Sequence, residues 1–259
     1  MLNPRFDPTL LSRIEDAGLN ASAPPQQRWL DGWLVRFSPG KAKRSRCVNA
    51  VAPGRLLVRQ KLAMCAQVFA EAKLPLIVRI TPLTQPADLD ATLAADGMRR
   101  FDDTRVMVRA NLPVPPAVRW SEQISLHTIG LEPFAQRVGA LRGSSLAQRQ
   151  AHAERLLSAP VPFTALELRV DGELVSCGQY ALESDLVGLY DIFTAPAARG
   201  RGHARLLCQY MLAQAYSHGA RHAYLQVDAV NMAARALYRA LDFDDAYAYH
   251  YRTDDPAQA

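Results

Sequence analysis

The residues Arg199-Gly200-Arg201-Gly202-His203-Ala204 have the types and spacing needed to hold a phosphate group. They follow an apolar run at 187–194 that reads as a strand, and they open a stretch at 204–217 that reads as a helix. A strand that ends in a glycine-bearing turn and enters a helix aims several unpaired N–H groups, and the positive end of the helix dipole, at one point. Gly200 and Gly202 let the backbone approach an anion closely, while Arg199, Arg201 and Arg205 add charge at the mouth. The predicted ligand is a diphosphate. A dinucleotide fingerprint wants a third Gly where Arg205 stands, and a Walker-type loop wants a closing Gly-Lys-Ser/Thr that is absent. On its own, such a turn also fits a basic surface turn.

The pattern Arg-x-x-Gly-x-Ala, read as Arg199, Gly202 and Ala204, resembles the acetyl-CoA signature of the GCN5-related N-acetyltransferases. A second stretch extends the likeness: Leu225-Gln226-Val227-Asp228, then Asn231, Ala234, Leu237-Tyr238 and Leu241-Asp242-Phe243. In that family a strand, an Asn, an Ala three residues on, a Leu-Tyr pair and a Gly-Phe pair follow the signature helix. Asp242 stands where Gly is usual. That place ends a helix in the left-handed conformation, which Asp tolerates better than most residues.

The resemblance implies acetyl-CoA as co-substrate, no metal, and transfer of the acetyl group to a primary amine of a small molecule or peptide. It also implies that the strand before the turn splays from its neighbour, so that backbone groups of Ile192, Phe193 and Thr194 meet the pantetheine arm. Gly200 to Arg205, with Arg199 and His203 flanking, would hold the pyrophosphate. Asn231 would contact the arm, and Tyr238 would protonate the departing sulfur. Acyl transfer also requires that the amine lose its proton. Asp191, beside the expected splay, is the candidate base, with burial expected to raise its pKa. The rival reading is that it only pairs with an arginine or with backbone. Glu183 and Asp185 are runners-up, and an ordered water could replace a dedicated base. His218 and His222 are four apart, but Gly219 between them argues against a metal-binding helix face. Tyr238, at helical spacing with Leu237 and Leu241, also fits a core position.

These residues need elements to hold them. The alternation and turns predict strand 123–128, helices 132–141 and 146–157 broken at Gly143, a hairpin of 164–170 and 174–182 around Asp171-Gly172, and strand 187–194. Helix 204–217, strand 223–227, a helix capped by Asn231 and strand 246–252 complete a mixed α/β domain. Tyr247, Tyr249 and Tyr251 should share one face of the last strand. Before it, strands are expected at 32–37, 76–81 and 105–110, with helices at 55–73 and 89–95. At 259 residues the chain suits two modest domains. The expected division is an α/β domain at 1–112, a proline-rich linker at 113–119, the acetyltransferase-like domain at 120–252 and a tail at 253–259. The first domain is either a degenerate copy of the same fold, without the glycine turn, or an unrelated lid.

Composition narrows the setting. No apolar run approaches the roughly 20 residues of a membrane span. The first residues lack the apolar core of a secretory signal. Cys47, Cys65, Cys177 and Cys208 show no paired spacing, which suits reduced thiols and a cytoplasmic location. The net charge of +5 favours anionic ligands. Its densest basic cluster, Lys41, Lys43, Arg44 and Arg46, reads as a solvated loop, and without interleaved aromatics it disfavours nucleic acid. A monomer or a homodimer fits. A non-catalytic sensor of CoA is the competing functional reading.

Overall fold

The computed structural model describes residues 1–39 and 42–257. In chain order the elements are α1 (Pro8–Ala21), β1 (Gln27–Leu30), β2 (Trp33–Arg36), β3 (Val48–Ala50), α2 (Val58–Glu71), β4 (Val78–Ile80), α3 (Leu89–Ala95) and β5 (Arg99–Arg109). Then come β6 (Ile124–Ile129), α4 (Leu131–Leu141), α5 (Leu146–Leu157), β7 (Phe163–Val170), β8 (Glu173–Glu183) and β9 (Leu186–Thr194). The chain ends with α6 (His203–Ser217), β10 (His222–Asp228), α7 (Met232–Arg239) and β11 (Asp244–Thr253).

All strands join one mixed sheet in the order β1-β2-β3-β4-β11-β5-β10-β9-β8-β7-β6. The series β3-α2-β4-α3-β5 recurs as β9-α6-β10-α7-β11, and in both the strands flanking the first helix pair in parallel. The two series exchange their last strands. β5 lies antiparallel to β10, β11 lies antiparallel to β4, and β5 and β11 pair with each other at the centre. Residues 113–119 carry no regular structure, yet the sheet runs across the halves that they join.

Strand alternation sorts the side chains into two layers. Val187, Leu189, Leu225 and Val227 pack with Leu207, Met211 and Ala215 of α6 and with Tyr238 and Leu241. Leu186, Tyr190, Tyr224 and all of Tyr247, Tyr249 and Tyr251 pack with Leu10, Leu11, Ile14 and Ala17 of α1. The helix α1 has no counterpart among the sequence expectations. Asp7 caps it, accepting from the Thr9 amide at 2.9 Å, and Pro8 occupies its first turn. It is bolted to the sheet by Glu15, which pairs with Arg79 of β4 and accepts from the Tyr247 hydroxyl at 2.6 Å. On the α1 side of the sheet, α4 and α5 pack Phe134, Val138 and Leu156 on Ala165 and Cys177. Ser145 and Gln148 form a reciprocal capping box at the start of α5, with bonds of 3.3 and 3.0 Å.

The segment expected to be a solvated basic loop is not one. Residues 43–45 make a short 3-10 turn against the sheet. Lys43 pairs with Asp102 at 2.5 Å, and Arg44 turns inward to donate to Gln226 Oε1 of β10. The Gln226 carboxamide and the carboxylate of Asp102 offer acceptors that solvent would otherwise supply, so the charges fold in. Lys41 lies outside the described residues.

Candidate active site

Strands β9 and β10 run side by side only from the Leu186–His222 pair to the Leu189–Leu225 pair, and then part. Beyond that point β9 keeps β8 on one side, and Gln226 to Asp228 keep β5. Among the described residues, the edges of Tyr190 to Thr194 that face β10 therefore have no strand partner. The register of β8 on β9 shifts between Cys177 and Gln179, where Asp191 sits at φ 52°. This bulge turns the Asp191 side chain out of the strand's alternation.

The loop after β9 carries the predicted turn. Gly200 and Gly202 have φ of 75° and 82°, and open space lies where a Cβ would stand on either. Gly202 caps α6, and the first backbone bond of the helix runs from the Leu206 amide to the Gly202 carbonyl. Among the described residues, the amides of Gly200, Arg201, Gly202, His203, Ala204 and Arg205 have no acceptor. These amides can close on a phosphate without displacing a protein bond. Arg199 and Arg201 are exposed; Arg199 lies over the Phe193 ring and donates from Nε to the Thr194 carbonyl at 3.2 Å. The Nδ1 of His203 is buried at the same helix end, without a partner among the described residues.

Asn231 caps α7, accepting from the Ala234 amide at 3.1 Å. Asp242, just past the end of α7, has φ 62°, the left-handed conformation expected there, and Arg109 pairs with its carboxylate at 3.0 Å. Tyr238 lies in the core, edge-on to Phe243 with centroids 6.1 Å apart. Among the described residues its hydroxyl has no hydrogen-bond partner, yet it is not one of the fully buried orphans. Burial pushes its phenol well above the ordinary value, so the hydroxyl keeps its proton.

Asp191 departs from expectation in one respect. Burial would raise its pKa, but the hydrogen bond from His152 and the charge of Arg142 outweigh burial and hold the carboxyl well below the usual range. Its oxygens accept from Arg142 Nη1 at 2.8 Å, from Gln179 Nε2 at 2.7 Å and from His152 Nε2 at 3.1 Å. A carboxylate so satisfied is a poor proton acceptor. Glu183 and Asp185 sit at the other end of β9. There Glu183 accepts from Asn20 at 2.8 Å and Asp185 pairs with Arg13, so both help to dock α1. His222 Nδ1 accepts from the Asn111 amide at 3.2 Å, and no group of three metal-binding side chains occurs among the described residues.

A cavity of about 250 Å³ opens beside Asp191. Gln148, His152 and Arg155 of α5 line one wall, spaced four and three apart on one helix face. The facing wall comes from Pro24 to Gln26 and from Ser38, Pro39 and Ser45, all in the amino-terminal half. His152, Arg142, Arg155 and Gln179 were not legible in the sequence as site residues. For His152 and Arg155 the legible signal was the polar face of a helix expected at 146–157; Arg142 and Gln179 carried none.

The glycine turn, the parted strands and the α7 cap fit an acetyltransferase type of site, and the chain is similar to proteins of that class. The GCN5-related N-acetyltransferase from Kribbella flavida superposes with a TM-score of 0.67 at 18% identity, covering 95% of each chain. A tandem protein of this fold from the clavulanic acid biosynthesis pathway gives 0.60 at 16% identity, over 76% of this chain and 70% of that one. The "Uncharacterized N-acetyltransferase YobR" of Bacillus subtilis (strain 168) is 24% identical over 235 residues, 87% of this chain and 91% of that protein. The profile of the family described as "Probable histone acetyltransferase Rv0428c C-terminal" matches residues 11–252. The chain belongs to this family of GCN5-related N-acetyltransferases. It is an acetyltransferase with a mixed α/β fold, and none of its described helices is long and apolar enough to cross a membrane.

Proposed function

We propose that the protein transfers an acetyl group from acetyl-CoA directly to a primary amine. One observation carries this reading: a row of unengaged amides at 200–205 continues into the unpaired strand edge at 190–194. The first part suits a diphosphate and the second a pantetheine amide chain. Acetyl-CoA supplies an activated acyl carbon and a thiolate leaving group. The chain's part is to bind the diphosphate at Gly200 to Arg205, with Arg199 and Arg201 alongside. Backbone groups of Ile192, Phe193 and Thr194 align the thioester, and the Asn231 amide contacts the arm. The Tyr238 hydroxyl, protonated and without a hydrogen-bond partner among the described residues, would give its proton to the sulfur. Asp191 acts as an ionised carboxylate that orients its neighbours.

We also read residues 1–112 as a degenerate copy of 120–252, divided from it by 113–119. The repeated element order supports this, and so does the turn before α2. There the Asp31 carboxylate accepts from the Arg55 amide at 2.9 and 2.8 Å and from the Leu56 amide at 2.8 Å. Lys61, fully buried, donates to the Asp31 carbonyl at 2.7 Å. The place that takes a phosphate in one half is filled by the protein's own anion in the other. One CoA per chain follows. Isothermal titration with CoA and thiol release from acetyl-CoA over an amine panel test both readings. Absence of CoA binding overturns the assignment, and tight binding with no turnover on any amine makes the protein a sensor.

A further inference from the structure

The cavity between α5 and the amino-terminal loops has a chemistry of its own. The Nε2 of His152 points to Asp191 Oδ2, and a carboxylate has only lone pairs, so Nε2 carries the hydrogen. The lone pair is then on Nδ1. That atom has no partner among the described residues and is not one of the buried orphans, so it keeps access to the cavity that His152 lines. One turn along the helix, the half-buried Arg155 also lines the cavity. Its one hydrogen bond is a long one, from Nη1 to the Ala21 carbonyl at 3.5 Å, and no carboxylate pairs with it among the described residues. Burial pulls its pKa down and the charge of Arg44 adds to that pull, with Asp191 opposing. A desolvated cation that the protein leaves unmatched calls for an anion from outside. The groups facing His152 are Asp191 of β9, Arg142 after α4, and Arg155 with the exposed Glu154 on its own helix. Arg142 is already paired with Asp191, which leaves Arg155, within the field of Asp191 but in no ion pair among the described residues, as the cation short of an anion.

We propose that this cavity is the acceptor site, that it takes an amine which also carries a carboxylate or similar anion, and that His152, held by Asp191, receives the amine's proton. The proposal rests on the acetyl-CoA reading above. The amine nitrogen bonds to the acetyl carbon and the carbon–sulfur bond breaks. The nitrogen's proton goes to His152 Nδ1, and the Tyr238 hydroxyl proton goes to the sulfur. Solvent then takes the imidazolium proton and reprotonates the phenolate. Asp191 fixes the tautomer, and Arg155 binds the anion at the far side of the amine.

The test uses the full chain with acetyl-CoA and matched probes: free amino acids, the corresponding amino acid amides, and a lysine peptide blocked at both ends. The native protein is expected to favour free amino acids over their amides by at least about tenfold in kcat/KM, the factor that one lost ion pair of about 1.4 kcal/mol produces. Arg155→Met should erase that preference through KM. His152→Gln should lower kcat and remove the acidic limb of its pH profile, with partial rescue by added imidazole. Equal use of acids and amides, preference for the blocked lysine peptide, or an unchanged limb in His152→Gln overturns the proposal. Titration with CoA separates the two levels. Normal CoA binding in all three proteins alongside any of those results refutes the acceptor site alone, whereas no CoA binding in the native protein refutes both.

Discussion

Replacing Gly202 by alanine tests the cradle most directly. At φ 82° an alanine bears the left-handed penalty of roughly 1–2 kcal/mol. Among the described residues, nothing beyond the adjoining chain stands within 4 Å of the added methyl, so no clash adds to that cost. For a chain of this size each kcal/mol lowers Tm by about 2–4 °C. The larger effect is on the ligand, because the open space that the methyl enters is the space through which the diphosphate must approach the free amides. Losing one charge-assisted bond of roughly 1.5–3 kcal/mol weakens CoA by about tenfold to a hundredfold. Isothermal titration with CoA, and with acetyl-pantetheine, which lacks the diphosphate, reads the effect, and a thermal melt reads the stability cost. The reasoning requires a loss confined to CoA. An unchanged CoA affinity in a folded Gly202→Ala protein, or an equal loss for acetyl-pantetheine, refutes it.

Three further outcomes follow from the same geometry. Tyr238→Phe should lower kcat by about a hundredfold or more while the melt stays within about 0.5 kcal/mol of native, since the lost hydroxyl has no partner; a kcat near native would make Tyr238 a core residue only. The Asp31 carboxyl is held below its ordinary range chiefly by the Leu56 and Arg55 amides. Its contribution is therefore present above the unfolded carboxyl's pKa and is lost as pH falls through the folded one. Urea unfolding at neutral pH should show Asp31→Asn weaker than native, with the gap closing in acid; a gap that is constant with pH counts against the plugged turn. Glu15→Gln leaves the buried Arg79 without its carboxylate and should cost about 3–5 kcal/mol in denaturant unfolding. The double change Glu15→Leu with Arg79→Met should cost less than Glu15→Gln alone, and a greater loss would show that the pair itself stabilises the fold.

The sequence determined the parts of this protein whose function lies in the backbone. A glycine pair between a strand and a helix states its own conformation, because few other residues adopt φ near 80°, and Asn231 and Asp242 state the ends of α7 in the same local way. Helices 89–95 and 146–157 were legible to the residue, and the elements from 123 onward to within a few residues, because their apolar periods are long and well punctuated. Tertiary structure decided what local pattern cannot carry. The exchange of β5 and β11 depends on pairings between residues more than a hundred apart, and one strand's sequence does not record its neighbour. The direction of the Asp191 shift also escaped the sequence. Burial was foreseeable, but His152 and Arg155 come from α5 and Arg142 from the end of α4, and their sum reverses its sign. The inward turn of Arg44 and the cavity between α5 and the amino-terminal loops are of the same kind, since each needs two distant segments to meet before either side chain has anything to act on.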